Sequence, residues 1–198
     1  MNRRPLKTRS AGWAKMVAAW LAQSRVTPNQ ISMLSMGMAA LAAGAFYLGG
    51  SWLFAAALFM QLRLLCNLLD GMVAVEGGKS TSDGPFWNEF PDRISDILIF
   101  VGLGYGIGLP TLGWVAAALA VLTAYVRELG CNAGLPADFS GPMAKPHRMA
   151  LLTVAALLAG LGLNWLDFAL WGLVVGTGFT TLKRSFRLVQ GLKSAAKK

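Results

Sequence analysis

Apolar residues run along this chain in six long stretches, at about residues 31–50, 52–75, 94–110, 111–130, 149–163 and 165–182. Each is close to the roughly 20 residues that an α-helix needs to cross a hydrocarbon layer. Ala and Leu dominate them and none alternates with period two, so helices are predicted rather than strands. A polar first turn lengthens the third stretch, and the segment from Lys145 to Arg148 lengthens the fifth. Ahead of them, residues 11–24 place Trp13, Val17, Trp20 and Leu21 at helical spacing, with Lys15 and Gln23 off that face. Such a pattern suits an amphipathic helix in the membrane interface; packing against the bundle is its plainer use. The fold expected is all-α integral membrane, with six transmembrane helices preceded by that interfacial helix. One domain spans residues 11–190, between a disordered basic tail at 1–10 and a second basic tail at 191–198.

Thr27-Pro28 predicts the start of the first long helix, Thr27 as a cap and Pro28 in the first turn. Small residues crowd that helix (Gly37, Ala39, Ala40, Ala42, Ala43, Gly44), and glycines recur late in the third (Gly102, Gly104, Gly106, Gly108). Both patterns predict close backbone approach.

Composition agrees: 55% of the 198 residues are hydrophobic and 14% charged. The net charge of +9 informs through its placement. Lys and Arg precede the first stretch (Arg3, Arg4, Lys7, Arg9, Lys15, Arg25), then recur at Lys79, at Lys145 and Arg148, and from Lys183 to Lys198. The alternate connections near 49–51, 108–113 and 162–167 carry none. By the positive-inside rule both termini face the cytoplasm, as in a protein of bacterial inner-membrane type. These charges form membrane-flanking belts, so no nucleic-acid partner is expected. Cys66 and Cys131 have no metal-ligand spacing and read as reduced packing residues.

Six of the nine acidic residues fall between Asp70 and Asp96. Carboxylates at the edge of a hydrocarbon layer are costly, and a cluster of them marks a functional site. Arg63, Asn67, Asp70 and Ala74 share one helical face, as do Asn88, Asp92, Asp96 and Ile99 on the next helix. Because the two helices run antiparallel, depth pairs Asp70 with Asn88, Asn67 with Asp92, and Arg63 with Asp96. The first two rungs make a cage of hard oxygen donors suited to Mg²⁺ or Mn²⁺. The third is an ion pair that neutralises a buried arginine. Gly71 and Gly84 flank the cage where a larger side chain would exclude a ligand.

The stretch Asn67-x2-Asp70-Gly71-x2-Ala74-Val75-x8-Gly84-x3-Asn88-x3-Asp92 resembles the signature of the CDP-alcohol phosphotransferases, Asp-x2-Asp-Gly-x2-Ala-Arg-x8-Gly-x3-Asp-x3-Asp, with every spacing kept. Thr27-Pro28-Asn29-Gln30-Ile31-Ser32 is similar to that family's lead into its first membrane helix. The resemblance implies transfer of a substituted phosphate, such as phosphatidyl, from a CDP-linked lipid donor to an alcohol acceptor, with release of CMP. It further implies a homodimer, metal at Asn67, Asp70, Asn88 and Asp92, a proton-accepting role for Asp92, and a nucleotide site shaped by Gly71, Ala74 and Gly84. Three positions depart from the pattern: Asn67 and Asn88 stand for aspartates and Val75 for the arginine. With two negative charges gone, the expectation is one metal ion, or two that bind well only beside the diphosphate. Glu89 or Glu76 could return part of the charge. Arg127, Lys145, His147 and Arg148 are expected to bind an anionic acceptor or the donor phosphate, flanking charge for lipid headgroups being the alternative. Other readings are a relative that binds CDP-lipid or metal without turnover, and a small cation transporter, which would more often show internal repeats.

Overall fold

The computed structural model describes residues 11–195, so the tail expected at 1–10 and the last three residues lie outside it. Seven α-helices make up the described residues: α1 Gly12–Gln23, α2 Pro28–Leu48, α3 Trp52–Val75, α4 Gly84–Gly106, α5 Pro110–Asn132, α6 Lys145–Gly160 and α7 Leu166–Ala195. No strand is present among them. Residues 191–195, expected in a tail, continue α7.

Three helices, Pro28–Leu48, Trp52–Val75 and Pro110–Asn132, are long and apolar enough to cross a membrane by length and composition. The other three long elements fall short for identifiable reasons. α4 carries Glu89, Asp92, Arg93 and Asp96 in its first half, α6 has 16 residues, and α7 carries Lys183, Arg184 and Arg187 in its second half.

α2 starts as its sequence predicts. Thr27 Oγ1 accepts from the Gln30 amide at 3.2 Å, the Gln30 side chain returns the bond to the Thr27 amide at 3.0 Å, and Pro28 occupies the first turn. Packing contacts run α2–α3, α3–α6, α6–α7, α7–α5, α5–α4 and α4–α2, which closes six helices into a ring. α3 and α4 touch only sparingly, with α2 packed against both. The two helices expected to adjoin therefore face each other across the interior, and long polar side chains bridge the gap.

The end opposite the acidic cluster is packed by small residues. Ala42, Ala56, Ala116 and Ala156 are fully buried beside Phe46, Phe100 and Leu103. A Cβ on Gly102 would stand 2.6 Å from that of Ala43, and one on Gly106 would collide with the Phe46 carbonyl, so α2 and α4 meet backbone to backbone. Gly104 does the same against Gly113 of α5, whereas Gly37 and Gly44 face open space and serve no close approach. α1 lies against α3 through buried Ala14 and Ala18, the plainer of the two uses expected of it, and leaves Trp13 and Trp20 exposed.

Candidate active site

The polar end of the ring is built in three layers, one turn apart along α3 and α4. Deepest is Arg63, fully buried, with Nη2 2.8 Å from Asp96 Oδ1 and 3.3 Å from the Asp92 carbonyl oxygen, and Nη1 3.0 Å from Met149 Sδ. Arg148, at the start of α6, places Nη2 2.7 Å from the other Asp96 oxygen. Asp96 thus holds one guanidinium on each oxygen, with all three side chains at most 3% exposed. Such a charge persists in a dry interior only because each partner cancels the other's desolvation cost.

The middle layer centres on Asp92. Its Oδ1 accepts from Asn67 Nδ2 and from Lys145 Nζ, both at 2.5 Å, with Arg63 Nη2 at 3.5 Å. The Asn67 carbonyl oxygen is taken by the Ser35 hydroxyl of α2 at 2.6 Å, which turns the amide nitrogen toward Asp92. Arg93 approaches Asp92 Oδ2 at 3.5 Å.

The outer layer opens into a shallow cleft lined by Asn29, Ser32, Asp70, Gly71, Ala74, Gly84, Trp87 and Asn88, together with Lys79, Ser80 and Thr81. Ser32 donates to Asp70 Oδ2 at 2.7 Å. A Cβ on Gly84 would meet nothing nearer than Thr81 Oγ1 at 3.8 Å, so the missing side chain leaves room in the cleft. Asp83, just before α4, accepts from Trp87 Nε1 at 2.8 Å and Asn29 Nδ2 at 3.2 Å. Hydrogen bonds from Thr81, Trp87 and Asn29 hold its carboxyl below the usual aspartate value. Lys79 Nζ donates to the carbonyls of Ser24 at 2.6 Å and Val26 at 3.1 Å, tying the end of α1 to the rim of the cleft.

A second, larger open pocket of about 220 Å³ lies between the ends of α5 and α7 and is lined by Arg127, Gly130, Leu135, Asp138, Arg184 and Arg187 among others. Arg127 pairs with Glu89 of α4 and with Glu128, which ties the wall of this pocket to α4. Arg187 Nε lies 3.4 Å from Asp138 Oδ2, and Arg184 Nε donates to the Ser140 carbonyl at 2.9 Å. Burial pushes the Asp138 carboxyl up, but its Ser140 hydrogen bonds and the nearby Arg187 and Arg184 outweigh that and leave it below the usual value.

The residues singled out in the sequence are thus sorted in space. Asp70, Gly71, Ala74, Gly84 and Asn88 share the cleft; Asp92 does not line it. The four expected anion ligands do not form one group. Lys145 is on Asp92, Arg148 is buried on Asp96, Arg127 lines the second pocket, and the His147 ring is exposed. Glu89 is engaged with Arg127 and Arg93, and Glu76 is exposed outside the cleft, so neither lines the cleft to restore the missing charge. Sequence reasoning missed Ser35, Lys79, Arg184, Arg187 and Asp138. The i, i+3 pairs Ser32/Ser35 and Arg184/Arg187 were the signals available.

Three comparisons bear on this arrangement. The profile of the CDP-alcohol phosphatidyltransferase family matches residues 25–182. The phosphatidylinositol phosphate synthase of Corynebacterium glutamicum is 32% identical over 178 residues, covering 85% of this chain and 80% of its own. The crystal structure of Mycobacterium tuberculosis phosphatidylinositol phosphate synthase with CDP-DAG bound superposes with a TM-score of 0.78 at 25% identity, over 90% of this chain and 94% of that one. The same enzyme in complex with manganese and citrate gives 0.77 at 24% identity, over 88% of each chain.

Proposed function

Since the chain belongs to the CDP-alcohol phosphatidyltransferase family, a membrane enzyme family of phospholipid synthesis that depends on Mg²⁺ or Mn²⁺, we propose that it makes a phosphatidyl polyol phosphate. The donor is CDP-diacylglycerol, the acceptor an inositol phosphate or close analogue, and CMP leaves. The observation that carries the choice of acceptor is the second pocket. Three guanidiniums, from Arg127, Arg184 and Arg187, line an open volume whose one acid is Asp138. Arginine forks match phosphate geometry better than any other side chain, so an acceptor bearing its own phosphate suits this wall and serine or choline does not.

In this reading the cytidine diphosphate end of the donor enters the first cleft, where Gly71, Ala74 and Gly84 keep the walls low. The donor set there fits one hard cation, with Asp70 and Asn88 as ligands and phosphate oxygens completing the shell. Bound there, a divalent ion neutralises phosphate charge and steadies the leaving CMP. Asp92, one turn along α4 from Asn88, takes the acceptor's hydroxyl proton at Oδ2, the oxygen not already filled by Asn67 and Lys145. Arg63 and Asn67 hold that carboxylate in place. The six long helices cross the inner membrane with this end at the cytoplasmic face, a placement supported by the Lys and Arg distribution, and the expected homodimer belongs to the same reading.

The test is CMP release from CDP-diacylglycerol by the purified protein in phosphatidylcholine nanodiscs. Inositol phosphate should support turnover at least ten-fold better than inositol, serine or choline. Chelation should stop it and Mn²⁺ restore it. Arg187→Met should raise the acceptor KM with the donor KM unchanged, and Asp92→Asn should lower kcat by about 10²–10⁴. Equal turnover with the unphosphorylated alcohols refutes the acceptor assignment.

A further inference from the structure

Of the two signature positions that keep an aspartate, Asp70 lines the cleft and Asp92 does not. Asp92 Oδ1 receives two short hydrogen bonds at 2.5 Å, from a neutral amide and from an ammonium, which engages both lone pairs of that oxygen. Arg63 stands 3.5 Å from the same oxygen and Arg93 3.5 Å from the other. A dication placed on Asp92 Oδ1 would have to displace Lys145, and one placed on Oδ2 would meet Arg93, with Arg63 close by in either case.

Asn67 belongs to the same arrangement. Its oxygen accepts from Ser35, so the nitrogen faces Asp92 and donates. An ionised aspartate at this position has no proton to give, and would set a second carboxylate against Asp92 that a metal ion or a shared proton would have to reconcile. Asparagine at 67 and lysine at 145 therefore act as a pair: one removes the negative charge, the other supplies the positive one. Asp70 is different, since it keeps its place on the open cleft beside Asn88.

We infer that Lys145 Nζ is a built-in substitute for a second divalent ion, so that the site takes one ion, at Asp70, and uses a fixed ammonium at Asp92. This deepens the function proposed above and rests on it for the identity of the donor in the cleft. Lysine suits the task as a compact point charge on a flexible stem. Its backbone is anchored at the first turn of α6, and its side chain is 23% exposed.

The experiment counts Mn²⁺ on the full-length protein in phosphatidylcholine nanodiscs, by the electron paramagnetic resonance signal of free Mn²⁺, with and without CDP-diacylglycerol. The wild type should hold one Mn²⁺ per chain in both conditions, with the spectrum of an isolated ion. Two ions per chain, an exchange-coupled pair, or no bound ion would each overturn the inference, and none of these readouts needs a variant that folds. Lys145→Met combined with Asn67→Asp should add a second, coupled Mn²⁺, whereas Lys145→Arg should keep one. A folded double variant that still binds one ion also overturns it. Lys145→Met alone should lower kcat by about 10²-fold, as loss of a preorganised charge does, with Lys145→Arg recovering most of it. The two proposals fail separately. One bound ion without CMP release sinks the function and leaves the ion count standing; two ions with normal CMP release do the reverse.

Discussion

Asp96→Asn isolates the buried charge that holds the polar end together. In the native protein Arg63 and Arg148 reach the two Asp96 oxygens at 2.8 and 2.7 Å, in surroundings where none of the three side chains is more than 3% exposed. Asparagine keeps the shape but supplies one acceptor and one donor. One guanidinium would keep a weaker, neutral hydrogen bond; the other would face an N–H group. Leaving a buried charge uncompensated costs about 3–5 kcal/mol. Replacing a charge-assisted bond by a neutral one adds about 1 kcal/mol. At about 2–4 °C per kcal/mol for a chain of this length, the thermal midpoint should fall by about 10–20 °C. Arg63 also braces Asp92, through its carbonyl oxygen at 3.3 Å, so CMP release should fall even well below the new midpoint.

The assay is thermal loss of the monodisperse peak on size exclusion in one detergent, run for Asp96→Asn, Arg148→Met and the double variant. Removing Arg148 along with the carboxylate takes away one stranded cation, so the double variant should be more stable than Asp96→Asn alone. That non-additivity is the signature of a shared ion pair. An Asp96→Asn midpoint within about 2 °C of wild type, or a double variant less stable than Asp96→Asn, would refute the reasoning on the scale used above.

Three further outcomes follow from the same geometry. Gly106→Ala drives a methyl into the Phe46 carbonyl where α2 and α4 touch, and should cost about 1–3 kcal/mol in thermal stability; Gly37→Ala, facing open space, should melt like wild type. Gly84→Ala meets no protein atom within 3.4 Å, so stability should hold while the KM for CDP-diacylglycerol rises about ten-fold as the methyl occupies the cleft, a single lost contact being worth about 1.4 kcal/mol. Asp138 has a lowered carboxyl value, so its contribution is complete above the ordinary aspartate value of about 3.9 and is lost only as pH falls through the lower folded value. The acceptor KM should therefore show no Asp138 titration between about pH 5 and 8, and Asp138→Asn should change it across that whole range; a KM change confined to low pH would contradict this assignment.

Much of the site was legible because two helical faces with fixed spacing had to meet. Arg63, Asn67 and Asp70 recur at i, i+4 and i+7, and with antiparallel helices depth alone matched Arg63 to Asp96 and Asn67 to Asp92. What depth could not reveal was lateral order. Nothing in the pattern says that α2 stands between α3 and α4, so the contributions of Ser32 and Ser35 to the two rungs went unseen. Positive charge was ambiguous in a different way. Lys145, Arg148 and Arg127 carry the same sign and lie near helix ends, where a flanking belt, a buried ion pair and the wall of an open pocket look alike in sequence. Burial alone separates them, and burial is set by the ring closure of distant helices.

The ring also explains why the two ends of the bundle differ. α4 carries three acids at successive turns, and each meets a cation from another helix: Glu89 with Arg127 of α5, Asp92 with Lys145 of α6, and Asp96 with Arg63 of α3 and Arg148 of α6. α4 makes few backbone contacts with α3 and little or none with α6, so Arg63, Lys145 and Arg148 span an interior gap that backbones do not close. At the far end, alanine and glycine let α2, α4 and α5 touch directly and leave no such gap. A bundle pinned tightly at one end and propped open by ion pairs at the other holds its clefts without needing a bound ligand to separate the helices. Ion pairs of that kind stabilise less than apolar packing would. Their place at one end of an otherwise alanine-packed ring suits the proposed entry of a charged donor and a charged acceptor between the helices.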